Sequence, residues 1–263
     1  SYAMRIVDAT AAANLTPGTA VSDTLVQGNE TSVYRFDASA GQQFFFKSNS
    51  VSGGSAYWRL IDPYGRQVGP HYSIGSDPDT FSVPSSGEYL LLVEGASYNT
   101  APVSYSFTLN PVVNPQLPLT LDQVTTAVTQ PGQTNYYSFT LNADTQMAFD
   151  ALSNNFNWGL SGPNGDIVAP HNQSETSNAF ELSAGTYTLA VRGYNGQAGS
   201  YAFRMLTDAS AHTLAVNTPI SGTLDQPTGS TIYKVALTQG QKLYLGSQSP
   251  TGGTVYWRLL DAY

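Results

Sequence analysis

The chain contains no cysteine, which excludes disulfide bonds and thiolate-bound metal centres. Charged residues are scarce, at 11% against about 25% in an average domain. The 10 basic residues are outnumbered by 18 acidic ones, and the resulting net charge of -8 argues against nucleic-acid binding. No apolar run approaches the ~18 residues of a membrane-spanning helix, so we expect no membrane insertion.

Aromatic residues, by contrast, are plentiful. They make up 12% of the chain, and hydrophobic residues together make up 41%, which is enough to bury a core. A length of 263 residues predicts about two domains.

Three segments of the chain resemble one another, and the match extends over nearly the whole sequence. The matched positions are Tyr34, Phe36, Trp58, Leu60, Pro63 and Gly65 in the first segment, Tyr137, Phe139, Trp158, Leu160, Pro163 and Gly165 in the second, and Tyr233, Val235, Trp257 and Leu259 in the third. Self-similarity of this kind indicates a repeat protein.

The first and third segments are related by a constant offset of 199 positions, as in Tyr34 and Tyr233. Two repeat types, A and B, therefore alternate. The segment SYAMRIVDA at 1–9 also resembles SYAFRMLTDA at 200–209. We expect the last strand of a preceding repeat over 1–10, a complete A-type repeat over 11–111, a complete B-type repeat over 112–208, and the truncated first half of a further A-type repeat over 209–263. On this interpretation the sequence is a slice of a longer molecule.

Short runs of alternating apolar and polar residues, separated by Gly, Pro, Asn and Asp, indicate β-strands. In the first repeat they lie near 20–26, 32–37, 42–49, 56–62, 66–69, 79–83, 87–95 and 103–110. About eight short strands in ~100 residues predict an all-β fold of tandem antiparallel β-sandwich repeats, of jelly-roll or Greek-key kind.

The inward face of the fourth strand follows from comparing the repeats. Its tryptophans and leucines persist, whereas the alternate residues Tyr57, Arg59 and Ile61 become Asn157, Gly159 and Ser161. Because side chains alternate between the faces of a strand, we predict that the core residues are Trp58, Trp158 and Trp257.

The order YRFDASAGQQFFF, YWRLIDPYG, SGEYLLLVEG and SYSFTL resembles the bacterial pre-peptidase C-terminal domain. The resemblance implies a β-sandwich of the kind found beside secreted proteases and in tandem arrays within giant bacterial surface and extracellular proteins. Some relatives bind calcium through an acidic pair on the strand before the P-x-G turn. That strand reads AYWRLID and FNWGLSG here, without the pair.

Candidate chemistry is sparse, and we expect no enzyme. His71 and His171 occupy equivalent positions in different repeats, and His212 lies in a linker, so they do not form one site. Asp77 and Asp79 are weak candidates for a calcium ion, and a solvated loop is the simpler interpretation. The B-type repeat has Ser174-Glu175-Thr176 in that region. No other cofactor is expected.

Several outward positions are larger and more apolar in the A-type repeat than in the B-type repeat. They are Phe45, Tyr57, Arg59, Ile61, Tyr64, Tyr72, Leu90 and Leu92. We expect the third and fourth strands to pair, which would place Phe45 near Tyr57 on one surface. A capping loop or adjacent repeat, a protein–protein interface, or a sugar-stacking platform could each explain the set.

The favoured hypothesis is a structural segment of an extracellular or cell-surface repeat protein, either an adhesin shaft or a filament. Its partners would be further repeats of the same chain or other copies of it. A carbohydrate- or host-binding module that uses the same aromatics on surface glycans, and an accessory domain of a secreted hydrolase, are the alternatives.

Overall fold

The computed structural model describes residue 6 and residues 8–172, 179–224, 229–246 and 250–260. Most of the segment 1–10, expected to be the last strand of a preceding repeat, lies outside these residues. The helical structure of the described part consists of three short 3₁₀ turns, Ala9–Ala11, Tyr194–Gly196 and Asp208–Ser210. None of its helices is long and apolar enough to cross a membrane.

The first repeat is a sandwich of two sheets. Its strands are β1 (Ala13–Asn14), β2 (Ala20–Leu25), β3 (Thr31–Ala38), β4 (Gln43–Ser52), β5 (Ala56–Ile61), β6 (Gln67–Ser73), β7 (Phe81–Ser82), β8 (Gly87–Gly95) and β9 (Val103–Val112). One sheet has the order β1-β3-β8-β5-β6 and the other β2-β9-β4-β7. All pairs are antiparallel except β1 with β3.

The second repeat has the same topology. Its strands are β10 (Gln116–Pro118), β11 (Thr125–Thr129), β12 (Thr134–Leu141), β13 (Thr145–Ala151), β14 (Phe156–Gly162), β15 (Gly165–Asn172), β16 (Ala179–Leu182), β17 (Gly185–Gly193) and β18 (Gly199–Thr207). They form sheets β10-β12-β17-β14-β15 and β11-β18-β13-β16. The all-β sandwich predicted from the alternating pattern is confirmed.

Strands β4 and β5 do not pair, so the expected neighbourhood of Phe45 and Tyr57 is wrong. The chain crosses between β4 and β5 from one sheet to the other. The hydrogen-bonded partners of β4 are β7 and β9, and those of β5 are β6 and β8. Phe45 and Tyr57 consequently lie on opposite sheets of the sandwich.

The core of each repeat contains a column of stacked aromatic rings. Trp58 is 2% exposed and stacks on Phe46 with ring centroids 4.3 Å apart. Trp158 is 1% exposed and stacks on Phe149 at 3.9 Å. These tryptophans lie on the inner face of β5 and β14, as the comparison of repeats predicts.

A pair of tyrosines joins the two sheets of each sandwich. The hydroxyl groups of Tyr34 on β3 and Tyr105 on β9 lie 2.7 Å apart, and Tyr34 donates to Asp23 at 2.9 Å. Burial raises the pKa of Tyr105 to about 12. In the second repeat Tyr137 and Tyr201 repeat the 2.7 Å contact. Each sandwich therefore has a polar link between sheets beside its aromatic column.

The third segment begins as the first repeat does. Its strands β19 (His212–Thr213) and β20 (Tyr233–Lys234) pair in parallel, as β1 and β3 do, with the 199-residue offset preserved. Trp257, however, is 67% exposed, so it is not a core residue in this structure. In the complete repeats β8 or β17 pairs beside the tryptophan strand, and the described residues after Trp257 supply no such strand.

The tryptophans give a stability test. Truncating Trp58 or Trp158 to Ala removes the centre of a ring column, and we expect a loss of ~3–5 kcal/mol in the unfolding free energy of that repeat. Trp257→Ala is the matched control and should stay within about 0.5 kcal/mol, because its ring is mostly exposed. Urea unfolding followed by circular dichroism measures both. Equal losses at Trp58 and Trp257 would contradict the packing described.

Candidate functional site

Phe45 lies in the joint between the two complete repeats. It is 1% exposed although it faces away from the core of its own sandwich. The second repeat covers it with two glycines in the left-handed backbone region, Gly132 at φ 75° and Gly196 at φ 70°. A Cβ at Gly132 would lie 2.5 Å from the Phe45 Cβ, and one at Gly196 would lie 3.0 Å from the Phe45 ring. The ring therefore occupies a socket that needs glycine at both positions.

Polar contacts surround this socket. The Thr80 hydroxyl donates to the Gly132 carbonyl at 3.1 Å, and Arg192 Nη2 donates to Asp79 at 2.9 Å. Asp77 accepts hydrogen bonds from Gln197 Nε2 at 2.9 Å, from Lys47 Nζ at 2.5 Å and from the Ser48 backbone N–H at 2.7 Å. The joint thus combines one buried ring with charged and neutral hydrogen bonds across the two repeats.

Asp77 and Asp79 do not fit a calcium site. Each carboxylate is engaged by a basic side chain, Lys47 for Asp77 and Arg192 for Asp79. The hydrogen bond from Arg192 lowers the pKa of Asp79. Burial opposes ionisation of Asp77, but hydrogen bonds from Lys47, Ser48 and Gln197 outweigh it and lower its pKa. The described residues hold no group of three or more metal-ligating side chains, and the Ser174-Glu175-Thr176 loop lies outside them. Both residues take part in the joint, although the Asp79 side chain is 72% exposed, as expected for a solvated loop.

A polar cleft of about 470 Å³ opens beside these ion pairs. It is lined by Asp77, Pro78, Asp79, Asn157, Arg192, Asn195 and Gln197, from both repeats. Its walls carry carboxylate, amide and guanidinium groups and no aromatic ring.

A second feature is the outer face of the five-stranded sheet of the first repeat, which we call the A face. Arg59 is paired in register with Leu92, and Ile61 with Leu90, across β5 and β8. Tyr57 lies at the beginning of β5, and its ring meets His71 edge-on at 5.5 Å. All five A-face side chains on β5 and β8 are half-buried. Five of the eight predicted interface residues, those on β5 and β8, therefore share one surface.

The positive charge of Arg59 on the A face is paired within the same sheet. Arg59 Nη2 donates to Glu94 at 2.5 Å, and the Arg59 Nε is buried without a hydrogen-bond partner. The residues at the same positions in the second repeat are Asn157, Gly159, Ser161, Thr188 and Ala190. The apolar character of this surface belongs to the first repeat.

The other three predicted interface residues lie elsewhere. Phe45 is in the joint, on the opposite sheet. Tyr72 points inward and stacks on Trp58 at 5.2 Å, so its outward assignment is wrong. The cause is register, because Tyr72 on β6 lies opposite the inward-facing Trp58. Tyr64 is 71% exposed on the turn after β5, with the Arg66 guanidinium 5.1 Å from its ring centroid.

The residues of the second repeat that cover Phe45 were not predicted from the sequence. Gly132, Gly196, Arg192 and Gln197 lie in two loops of the second repeat that are hydrogen-bonded together, Gly132 N to the Gly196 carbonyl at 2.7 Å. Their signal in the sequence was a large residue at position 45 where the second repeat has Ala148, together with glycines in loops of the second repeat.

No protein-family model matches the sequence, and no curated protein matches it either. Among solved structures, the pre-peptidase C-terminal domain of a Bacillus anthracis collagenase is similar, with 16% identity and a TM-score of 0.31. That match covers 35% of this chain and 96% of the collagenase domain. The periplasmic g-type lysozyme inhibitor of Aeromonas hydrophila shows 21% identity over 38% of this chain and 96% of its own, with a TM-score of 0.28. The Salmonella Typhimurium inhibitor shows 21% identity over 37% and 97%, also at 0.28.

The socket gives a test of the joint. Phe45→Ala removes the ring that the second repeat covers, and we expect it to destabilise the first repeat by about 3–5 kcal/mol and to separate the thermal transitions of the two repeats. Scanning calorimetry measures both effects. Tyr64→Ala, on an exposed turn of the same repeat, should change neither. Unaltered transitions in Phe45→Ala would show that the repeats are not coupled through this ring.

The acidic residues of the joint predict a pH dependence. Because their folded pKa values are lowered, their stabilising contribution is complete above the usual carboxyl pKa of 3.8 and is lost as pH falls through the lowered values. We expect the transitions of the two repeats to separate between about pH 4 and pH 2. Asp79→Asn should weaken this dependence, whereas Asp166→Asn, on β15 far along the chain, should not. A joint that is equally stable at pH 7 and pH 2 would contradict the assignment.

Proposed function

We propose that the chain is a non-catalytic structural segment of a secreted bacterial surface protein, in which β-sandwich repeats joined end to end form an adhesin shaft or an extracellular filament. The joint carries this proposal. A loosely linked pair of binding domains has no need of a fully buried ring at its boundary, whereas a shaft needs neighbouring repeats fixed against each other. Phe45 in its glycine socket, with the Asp79–Arg192 pair, provides that fixation.

The linker between the repeats supports the same function. Strand β9 ends at Val112 and β10 begins at Gln116, so few residues separate the sandwiches. Asn114 in this linker donates to Gln43 at 2.9 Å and accepts from the Thr134 backbone N–H at 2.9 Å. The linker is therefore itself hydrogen-bonded to both repeats, which limits bending.

The A face supplies a surface for contacts between chains. Tyr57, Ile61, Leu90 and Leu92 are half-buried on this face, with Ile61 opposite Leu90 and Arg59 opposite Leu92. Tyrosine and arginine are favoured in protein–protein interfaces. We infer that the A face meets another copy of the chain, so that shafts associate side by side.

A glycan-binding module is the second candidate, and one observation favours it. The Tyr57 ring and the exposed His71 ring meet edge-on on the same surface. Tyrosine rings that present a face to solvent can stack on sugar rings. Such a site would use Tyr57 and leave Leu90 and Leu92 at its margin.

Replacing A-face residues by their B-type counterparts tests the lateral contact. Tyr57→Asn together with Leu92→Ala should abolish concentration-dependent association in sedimentation velocity, while leaving the unfolding midpoint nearly unchanged, because both side chains point away from the core. Tyr64→Asn, also a B-type residue at an exposed position, is the matched control and should associate as the parent does.

The same variants distinguish the two candidates. If Tyr57→Asn alone abolishes binding to a panel of surface polysaccharides and the parent chain does not self-associate, the glycan-binding function is correct and the lateral contact is wrong. Small-angle scattering of chains with increasing repeat number tests the shaft itself. The maximum dimension should rise linearly with the number of repeats, and a compact or strongly bent array would refute the structural function.

A further inference from the structure

The end of the first repeat that faces away from the second repeat carries two large exposed apolar side chains. This leading end consists of the loops 26–30, between β2 and β3, and 96–102, between β8 and β9. Val26 is 72% exposed and Tyr98 is 70% exposed. Asn99 ties the loops to the body of the repeat, since its Nδ2 donates to the Gly28 carbonyl at 2.8 Å and to the Ser55 carbonyl at 2.7 Å. Both side chains are thus presented on a fixed frame.

The same end of the second repeat is occupied. Its corresponding loops, 130–133 and 194–198, hold Gly132, Gly196 and Gln197, which receive Phe45 and Asp77 of the first repeat. Arg192, which binds Asp79, stands at the position of Glu94 in the first repeat. The leading end of the second repeat is therefore a docking surface in the joint between the two complete repeats.

We propose that the leading end of an A-type repeat is the docking surface for a B-type repeat of the same polypeptide. The proposal rests on the end-to-end function above and names the partner at the other joint of the array. The segment before the first repeat, SYAMRIVDA at 1–9, resembles the last strand of the B-type repeat at 200–209. From this resemblance we assign a B-type repeat, rather than an A-type one, as the partner at this end.

The two repeat types differ at the positions that meet in the joint. The B-type repeat has Ala148 where the A-type repeat has Phe45, so it has no aromatic ring at that position. The A-type leading end in turn lacks the glycine at the position of Gly132, where it has Asn29, and its Tyr98-Asn99 matches Tyr194-Asn195 of the B-type leading end. The two joints therefore differ at the positions of Phe45 and Gly132.

The start of the third segment shows where such a joint makes its polar contacts. Arg204 of the second repeat donates to the Ser230 carbonyl at 3.1 Å while also pairing with the buried Asp150. Ser230 corresponds to Thr31 by the 199-residue offset, and Thr31 directly follows the loop that carries Val26. Lys234, which corresponds to Arg35, pairs with Asp208 at 2.8 Å. A B-type repeat therefore reaches the equivalent part of an A-type segment within this chain.

The experiment places a B-type repeat in front of the first one. Residues 112–208 are joined to residue 9, so that the leading repeat is identical to the second repeat, which folds in this chain. The absence of cysteine allows single labels at Tyr98→Cys and, as the matched control, at Tyr64→Cys, because the parent side chains are 70% and 71% exposed. Maleimide labelling rates are measured in the original and the extended chains. Amide hydrogen exchange over 26–30 and 96–102, without any substitution, provides a second readout.

In the extended chain we expect labelling at Tyr98→Cys to slow by about twofold or more, since the matching Tyr194 is 44% exposed in the existing joint. Exchange in both loops should slow with it, while labelling at Tyr64→Cys is unchanged. Equal rates at Tyr98→Cys in both chains would overturn the proposal. Protection in the original chain that grows with its concentration would also overturn it, by showing that a second copy is the occupant. Equal protection by a leading A-type repeat, residues 11–111, would overturn its preference for the B type. Protection of Tyr98→Cys in an array that scatters as a compact particle would uphold the joint and refute only the shaft function.

Discussion

The column of stacked rings inside each sandwich determines how the strands around it are aligned and oriented. Phe46 on one sheet and Trp58 on the other lie 4.3 Å apart with their planes 14° from parallel, and Phe149 and Trp158 repeat this at 3.9 Å and 17°. A one-residue slip of β5 would turn Trp58 toward solvent and the A-face residues into the core. The stacking therefore determines the register of β5, and with it which side chains reach the outer surface.

The sequence contained enough information to predict the fold, because its signal is local and repeated. Alternation within strands, turns at Pro63-Tyr64-Gly65, and the persistence of Trp58 and Trp158 all depend on neighbours close along the chain or on comparison between repeats. The crossing from one sheet to the other between β4 and β5 left no such trace. Consecutive strands usually pair, and nothing in residues 53–55 distinguishes a hairpin from a crossing.

The functional surface was only partly predictable for the same reason. Comparing repeats identified the A-face residues on β5 and β8 correctly as outward, since they change character between repeats while the core does not. It also selected Phe45 and Tyr72, whose differences between repeats have other causes. Phe45 changes because its partner is a neighbouring repeat. Tyr72 and Asn172 differ in register, since Tyr72 lies opposite Trp58 whereas Asn172 lies opposite Asn157. The glycines that contact Phe45 lie far from it along the sequence, so the difference between Phe45 and Ala148 does not by itself identify them.

The short parallel first strand has a mechanical consequence for a chain pulled from its ends. Tension enters each sandwich through β1 or β10 and leaves through β9 or β18. The exit strands are central in their sheets, with antiparallel neighbours on both sides, so the load shears many hydrogen bonds at once. Strand β1 lies at a sheet edge and pairs over two residues only. Under load the β1–β3 pair separates first and lets the chain extend slightly. The strands that carry the stacked rings are loaded only after that extension is complete.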